Sequence, residues 1–521
     1  MIDAFIQVLQ PWLLLVAFGG VSLGIIWGAL PGLSTTMAMA LLISLSTGLE
    51  QSSAIVFMLG VYTGSVFGGA ISAVLINIPG TPDAVPTMIE GHALAKRGEG
   101  GQALGMAIAG SFVGNWVGIL LLVAFIPLVL SFALQFRSWE MALLGMIGIS
   151  ICGSMACGAM PLKGWIAGWL GILVALVGFD PIHAVQRYTF GVPELMDGVN
   201  YVSVLIGLFG LTEILKVMPS RAQPVVPESV GRVIPSLRKL ARYSVAAVRS
   251  GVIGAVTGAI PGAGANVASF LSYDIGRRMA SPEEKAKWGK GSYEAIVCAE
   301  VANNANIGGS MLPTLTLGIP GNAAAAALLA ALALNNIVVG PAIEVDHPGL
   351  IYFIYAALIV ANLLMYVAAI GLIKPCVKLF SLPRAVLLAL IVPICVIGAY
   401  SVRLSMFDVW VMFVSGLAGL ALRQLKFPVA PIVLGVILAP MVDENLRRAL
   451  LVFEGRSFGF VVQQWVGTVL VIALLAIFAD QGRAHAMRPY RGSKGAEPSC
   501  GGVPQKIIFT GWGGVLISDF T

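Results

Sequence analysis

Apolar residues run through this chain in long, almost uncharged stretches, as at 12–48, 54–78, 101–134 and 349–373. About 18 or more apolar residues can span a bilayer as a helix. Further crossings are expected near 139–158, 164–179, 199–215 and 294–319. Two of the apolar stretches are interrupted in the same way. Residues 24–36 read GIIWGALPGLSTT and residues 254–266 read GAVTGAIPGAGAN. Gly24, Gly28, Pro31 and Gly32 thus reappear as Gly254, Gly258, Pro261 and Gly262. A second pair follows in the same order: GGAISAVLINIPG at 68–80 and GGSMLPTLTLGIPG at 308–321, with one extra residue in the later copy. Two ordered motif pairs at nearly constant displacement indicate an internal duplication.

The basic residues orient the two copies. Lys and Arg favour the cytoplasmic ends of short loops. They mark 216–249 as inside (Lys216, Arg221, Arg232, Arg238, Lys239, Arg242, Arg249), and 277–290 likewise (Arg277, Arg278, Lys285, Lys287, Lys290). The stretch between them is too short for two crossings of roughly 20 residues each. It is therefore expected to be a re-entrant hairpin turning near Pro261-Gly262. Residues 1–11 and 49–53 carry no Lys or Arg, so 12–48 forms the matching hairpin from the outside, and 54–78 crosses inward to Lys96 and Arg97. Arg137 and Arg187 fall outside and run against the scheme. The expected fold is an all-α polytopic membrane protein, an inverted repeat with two re-entrant helical hairpins and two broken helices. Its parts are a first membrane repeat (1–218), a basic cytoplasmic linker (219–249), a second repeat (250–480) and a disordered tail (481–521).

Composition agrees with a membrane protein. Of 521 residues 58% are hydrophobic and 11% charged, against about 25% charged in a soluble domain. The net charge of +6 is explained by basic cytoplasmic loops and implies no nucleic acid. The N-terminal MIDAFIQVLQ lacks the basic region of a cleaved signal peptide. The six cysteines offer no disulfide framework, the four histidines no metal-ligand spacing, and there is no phosphate-binding P-loop.

Chemistry is expected at the breaks. Proline removes a donor and frees a carbonyl, and glycine permits backbone geometry other residues resist. A helix broken at membrane depth offers N–H groups to anions at one new end and carbonyls to cations at the other. Polar side chains follow each break: Ser34, Thr35 and Thr36 after Pro31-Gly32, Thr81 after Pro79-Gly80, Asn266 after Pro261-Gly262, Asn322 after Pro320-Gly321. They fit an oxygen-rich anion, and equally helix capping. The four breaks are expected to share one midplane cavity, because separate polar interruptions in hydrocarbon cost several kcal/mol each. In EVANNANIGGS (300–310), Glu300 and Asn304 lie one turn apart with Asn303 adjacent. An intramembrane carboxylate is costly and marks a site by default. Glu300, Asn303 and Asn304 suit Na⁺, or Glu300 a proton; a structural polar network is the other reading. Asp83 is a weaker candidate, close to the expected membrane surface. The Gly20/Gly24/Gly28 and Gly60/Gly64/Gly68 ladders suit close helix packing.

These motifs resemble the large permease subunit of the tripartite tricarboxylate transporters. The matching pieces are GALPGLSTT (28–36), GGAISAVLINIPGTPDAVPT (68–87), GHALAKRGEGGQALGMA (91–107), GAIPGAGANVASFLSYD (258–274) and EAIVCAEVANNANIGGSMLPTLTLGIPG (294–321). The resemblance covers roughly 15–440, and residues after about 485 match no element of it. It implies a bacterial inner-membrane permease that imports citrate-like or other carboxylates on an ion gradient. The implied partners are a small integral-membrane subunit and a periplasmic solute-binding protein, with no cofactor beyond the coupling Na⁺ or H⁺. A channel and a membrane-embedded enzyme are the alternatives; neither rings of charge nor a nucleophile–base pair is evident.

Overall fold

The computed structural model describes residues 1–156, 160–180, 182–183, 185–217, 231, 233, 237–380, 384–453 and 465–486. It is built almost wholly of helices. The first half holds α1 (Ile2–Val8), α2 (Pro11–Ala29), α3 (Thr35–Ser46), α4 (Gln51–Ile76), a 3-10 turn (Pro82–Ala84), α5 (Val85–Ala95), α6 (Gly100–Ala133), α7 (Ser138–Ala156) and α8 (Pro161–Ala175). A two-stranded hairpin, β1 (Gly178–Phe179) with β2 (Gln186–Arg187), leads to α9 (Tyr201–Leu205), which runs through a π-helical stretch (Ile206–Leu211) into α10 (Thr212–Val217). The second half holds α11 (Leu237–Arg242), α12 (Ser244–Ala259), α13 (Gly264–Met279), α14 (Pro282–Lys285), α15 (Tyr293–Leu317), α16 (Ala323–Leu334), α17 (Ile343–Asp346), α18 (Leu350–Phe380), α19 (Arg384–Arg403), α20 (Met406–Gln424), α21 (Ala430–Phe453) and α22 (Trp465–Ala486). Among the described residues six helices are long and apolar enough to cross a membrane: α2, α4, α6, α7, α18 and α20. The chain is a multi-pass membrane protein.

The breaks fall where proline forces them. A residue before proline is driven to extended backbone; Leu30 (ψ 121°) ends α2 and Ile260 (ψ 114°) ends α12 in that conformation. Gly32 and Gly262 then take positive φ, 86° and 82°, which turns the chain into α3 and α13. The second pair of breaks is equally alike. Asn77 closes α4 and Gly318 closes α15 in the left-handed conformation, each followed by Ile-Pro-Gly.

Packing repeats with the conformation. Helix α2 lies along α4 as α12 lies along α15; α6 packs on α12 and α15, as α18 packs on α2 and α4. Helices α7 and α8 pack together with α21, as α19 and α20 pack with the π-helical stretch. Asn115 on α6 donates to Asn362 Oδ1 on α18 at 3.1 Å, joining counterpart helices of the two halves. The glycine ladders serve close approach: a Cβ on Gly64 would stand 2.3 Å from Val21 O, and one on Gly28 2.2 Å from Ser65 O.

The structure changes several expected boundaries. The second hairpin begins at Ser244, not 250, and ends at Met279. Its arms have 16 residues each, about 24 Å at 1.5 Å per residue. The first hairpin is unequal, with 19 residues in α2 and 12 in α3. Helix α22 continues to Ala486, so only 487–521 of the expected tail lie outside the described residues, as does about half of the linker, 219–230, 232 and 234–236. The anomalous Arg187 is neutralised by Asp443 at 2.8 Å, in a chain that continues through Arg447 to Asp180.

Candidate functional site

Two buried polar clusters sit where the halves meet. The first gathers on α15. Glu300, 1% exposed, accepts from Thr87 Oγ1 at 2.5 Å on Oε1 and from Ser111 Oγ at 3.0 Å on Oε2. Asn304 Nδ2 donates to Ser111 Oγ at 2.8 Å and to the Glu300 carbonyl at 3.0 Å. Asp83, in the 3-10 turn after the first-half break, is also buried, and its carboxylate lies beside Asn303 and Thr81 and within electrostatic reach of Glu300 and Tyr62. Asp83 Oδ2, Thr81 Oγ1, both amide atoms of Asn303 and Asn304 Oδ1 are buried without a hydrogen-bond partner. Among the described residues no Lys, Arg or His pairs with Asp83 or Glu300.

The second cluster is neutral. Tyr62 OH on α4 donates to Asn322 Oδ1 (3.1 Å) and lies 3.0 Å from Ser310 Oγ. Asn322 Nδ2 reaches Asn306 Oδ1 at 2.9 Å, while Asn322 Oδ1 caps α16 through Ala325 N at 2.8 Å. Glu300 and Ser310 are ten residues apart on α15, about 15 Å along its axis, so the clusters occupy different levels of one helix.

The breaks meet in pairs. A Cβ on Gly80 would stand 2.0 Å from Gly28 O, and one on Gly321 2.3 Å from Gly258 O. Gly262 N donates to Gly321 O at 2.9 Å. Pro31-Gly32 thus belongs with Pro79-Gly80, and Pro261-Gly262 with Pro320-Gly321. The second arms cross over: α3 packs on α16, and α13 packs on the 3-10 turn, where Ser269 Oγ donates to Asp83 O at 2.8 Å.

The other predicted residues divide. Ser34 caps α3, accepting from Met37 N at 3.1 Å. Thr35 Oγ1 is buried and unpartnered. Asn266 is exposed on α13. Glu300, Asn303, Asn304 and Thr81 come together. The sequence reading gave no role to Thr87, Ser111, Tyr62 or Ser310; single hydroxyls in apolar runs carry no pattern. It also passed over Glu90, which is fully buried and accepts from Tyr273 OH (2.7 Å), Gly289 N (2.6 Å), Gly291 N (2.9 Å) and Ser292 N (2.8 Å). That carboxylate ties α5 to the start of α15. Among the described residues no group of three His, Cys, Asp or Glu side chains could hold a metal ion.

Broken helices enclosing buried, uncompensated carboxyls within a multi-pass bundle define the class as a membrane transport protein. The chain belongs to the tripartite tricarboxylate transporter TctA family, whose sequence profile matches residues 14–434. It is therefore one component of a system with other subunits. A relative from Agrobacterium vitis, an uncharacterised 52.8 kDa protein in the TAR-I ttuC' 3' region, is 34% identical over 477 residues, covering 91% of this chain and 94% of that protein. A second, an uncharacterised protein in the TAR-II ttuC' 3' region of the same organism, is 34% identical over 224 residues, covering 43% of this chain and 92% of that protein. No solved structure matches the chain.

Proposed function

We propose that the chain is the permease subunit of a secondary carboxylate importer in a bacterial inner membrane, driven by a cation gradient. A periplasmic binding protein delivers the solute, and a small integral-membrane subunit completes the assembly. In this reading α2–α3 and α12–α13 are re-entrant hairpins entering from opposite faces, which makes the repeat inverted. The observation that carries the proposal is the crossing of the hairpins. Each first arm is seated on its own half's broken helix, and each second arm reaches the break of the other half. A shift of one hairpin therefore moves both breaks. N–H groups beyond the breaks, with Thr35, would hold carboxylate oxygens, while the buried carboxyl cluster that contains Glu300, Asn303 and Asn304 couples the cation. Helices α7, α8, α19 and α20 would form the scaffold.

The test is counterflow in proteoliposomes holding the permease and its small subunit, with binding protein and labelled citrate outside. Expected is accumulation against excess internal citrate, dependent on the binding protein. Steady conductance without counterflow would mean a channel, and full uptake at micromolar solute without binding protein would refute the delivery step.

A further inference from the structure

We propose that Asp83, Thr81 and Asn303 form the seat of a dehydrated Na⁺ ion, and that Ser269 ties its occupancy to the second hairpin. The inference rests on the transporter reading and assigns its coupling cation to named atoms. It shifts the weight from Glu300 to a residue that the sequence placed near the membrane surface.

Glu300 is already served. Each of its oxygens accepts from a hydroxyl, Thr87 on one side and Ser111 on the other. A cation there would have to displace one of these bonds. Asp83 is different. It is 5% exposed, Thr81 1% and Asn303 0%; Asn303 and Thr81 lie within reach of its carboxylate, yet Asp83 Oδ2, Thr81 Oγ1 and both Asn303 amide atoms make no well-aligned hydrogen bond. A buried polar atom without a well-aligned partner destabilises the fold, and unpaired buried charge does so more strongly. A cluster that leaves several such atoms facing one another is a site waiting for a ligand. The sign of the ligand follows from charge: the carboxyls facing this space are Asp83 and Glu300, with Tyr62 as the remaining titratable neighbour. An anionic solute would be repelled. The donor set is one carboxylate, one hydroxyl and one amide oxygen, hard oxygens that suit an alkali cation and lack the nitrogen or sulfur of a transition-metal site. Which end of the Asn303 amide faces Asp83 is an assignment of near-identical atoms; the bound ion would take the oxygen. Several neutral oxygens beside one carboxylate favour a metal ion over a proton, which needs a single base.

The connection to motion is short. The backbone carbonyl of Asp83 itself accepts a hydrogen bond from Ser269 Oγ on α13 at 2.8 Å. An ion pulling the Asp83 side chain toward Asn303 on α15 would draw the 3-10 turn with it, and the second arm of the hairpin is bonded to that turn. Occupancy would thus be felt at the Pro261-Gly262 tip, which lies against α7: a Cβ on Gly262 would stand 2.3 Å from Cys152 Cα.

The experiment is the melting temperature of the purified, detergent-solubilised full chain in NaCl from zero to 300 mM (roughly, a range that spans typical coupling affinities), with choline chloride holding ionic strength constant. A ligand bound only by the folded state stabilises it with a saturable dependence on concentration. Wild type should show that dependence, and Asp83→Asn should raise its midpoint at least about tenfold or abolish it. Thr81→Val, nearly constant in volume, should raise it about threefold or more, and Thr81→Ser should restore it; these two keep the test alive if Asp83→Asn does not fold. The proposal is overturned if Asp83→Asn or Thr81→Val keeps the wild-type midpoint. It is equally overturned if Glu300→Gln abolishes the response while Asp83→Asn retains it, or if wild type responds to pH and not to Na⁺. Citrate counterflow by a wild type with no Na⁺ response would leave the transporter reading standing and remove only this site. A Na⁺ response without counterflow would do the reverse.

Discussion

Replacing Glu90 by Gln isolates one carboxylate whose partners are all known. Four donors converge on it: Tyr273 OH and Gly289 N on one oxygen, Gly291 N and Ser292 N on the other. The latter two N–H groups lie just ahead of α15, Ser292 being its N-cap, at the helix end where negative charge is favoured. Glutamine keeps one oxygen. Its NH₂ group must then face two donors, whichever way the amide is turned. A hydrogen bond to a charged group is worth about 1.5–3 kcal/mol, so losing one or two implies about 1.5–6 kcal/mol. Gly291 and Ser292 are buried and cannot turn to water, whereas Gly289 is exposed and can. The amide should therefore turn its oxygen to Gly291 and Ser292 and its NH₂ to Tyr273, whose OH can accept, and to Gly289, where the loss is concentrated. The assay is thermal unfolding of the solubilised chain beside Glu283→Gln, an exposed carboxylate on α14. The expected result is a drop of several degrees for Glu90→Gln and none for Glu283→Gln, together with faster amide exchange at 289–295. Unchanged melting and exchange for Glu90→Gln would refute the reasoning, because a four-donor carboxylate cannot be replaced by an amide without loss.

Other substitutions test other parts of the fold. Gly64→Ala puts a methyl 2.3 Å from Val21 O, whereas a Cβ on Gly19 meets nothing within 4 Å; the first should destabilise by about 1–3 kcal/mol and the second should be neutral or mildly stabilising, both read by thermal unfolding. Arg403→Met removes the bidentate partner of the fully buried Asp408 and should cost about 3–5 kcal/mol, relieved in the double variant with Asp408→Asn. The Asp180 carboxyl is held below its ordinary range, first by the backbone N–H of Ile182, then by that of His183 and by Arg447 and Arg187. With a lowered folded pKa its contribution is present above the unfolded value and lost as pH falls through the folded one. The stability difference between wild type and Asp180→Asn should therefore persist at pH 7, begin to shrink only near the ordinary carboxylate pKa of about 4, and vanish as pH falls through the lower folded value. A difference that grows on acidification would contradict the assigned contacts.

The site was partly legible. Glu300, Asn303 and Asn304 were visible because a carboxylate and amides in an apolar run are rare and costly. Thr81 was visible because it follows Pro-Gly. Asp83 was underrated because hydropathy placed it near the surface. Its burial depends on α13, a segment almost two hundred residues later, folding back over the turn. Ser34, which caps α3, and Asn266, which is exposed, show how ambiguous the signal is. The same residue types cap helices, face solvent and bind ligands, and only the neighbours distinguish the three.

By itself the sequence determined the helical character, the membrane setting and the position of every break. These are local consequences of apolar run length, of proline's missing donor and of the extended backbone it imposes on the preceding residue. It also determined that there are two copies, because duplicated glycines and prolines keep their spacing. What only the tertiary structure decided is which elements meet: that α6 packs on the second half and α18 on the first, that each hairpin's second arm crosses to the opposite break, and that Glu90 is consumed by the start of α15. Long-range packing of this kind is set by shape and by the need to satisfy buried polar groups, and neither quantity has a period along the chain. The unpaired oxygens of Asp83, Thr81 and Asn303 could be recognised only once every other partner in reach had been counted.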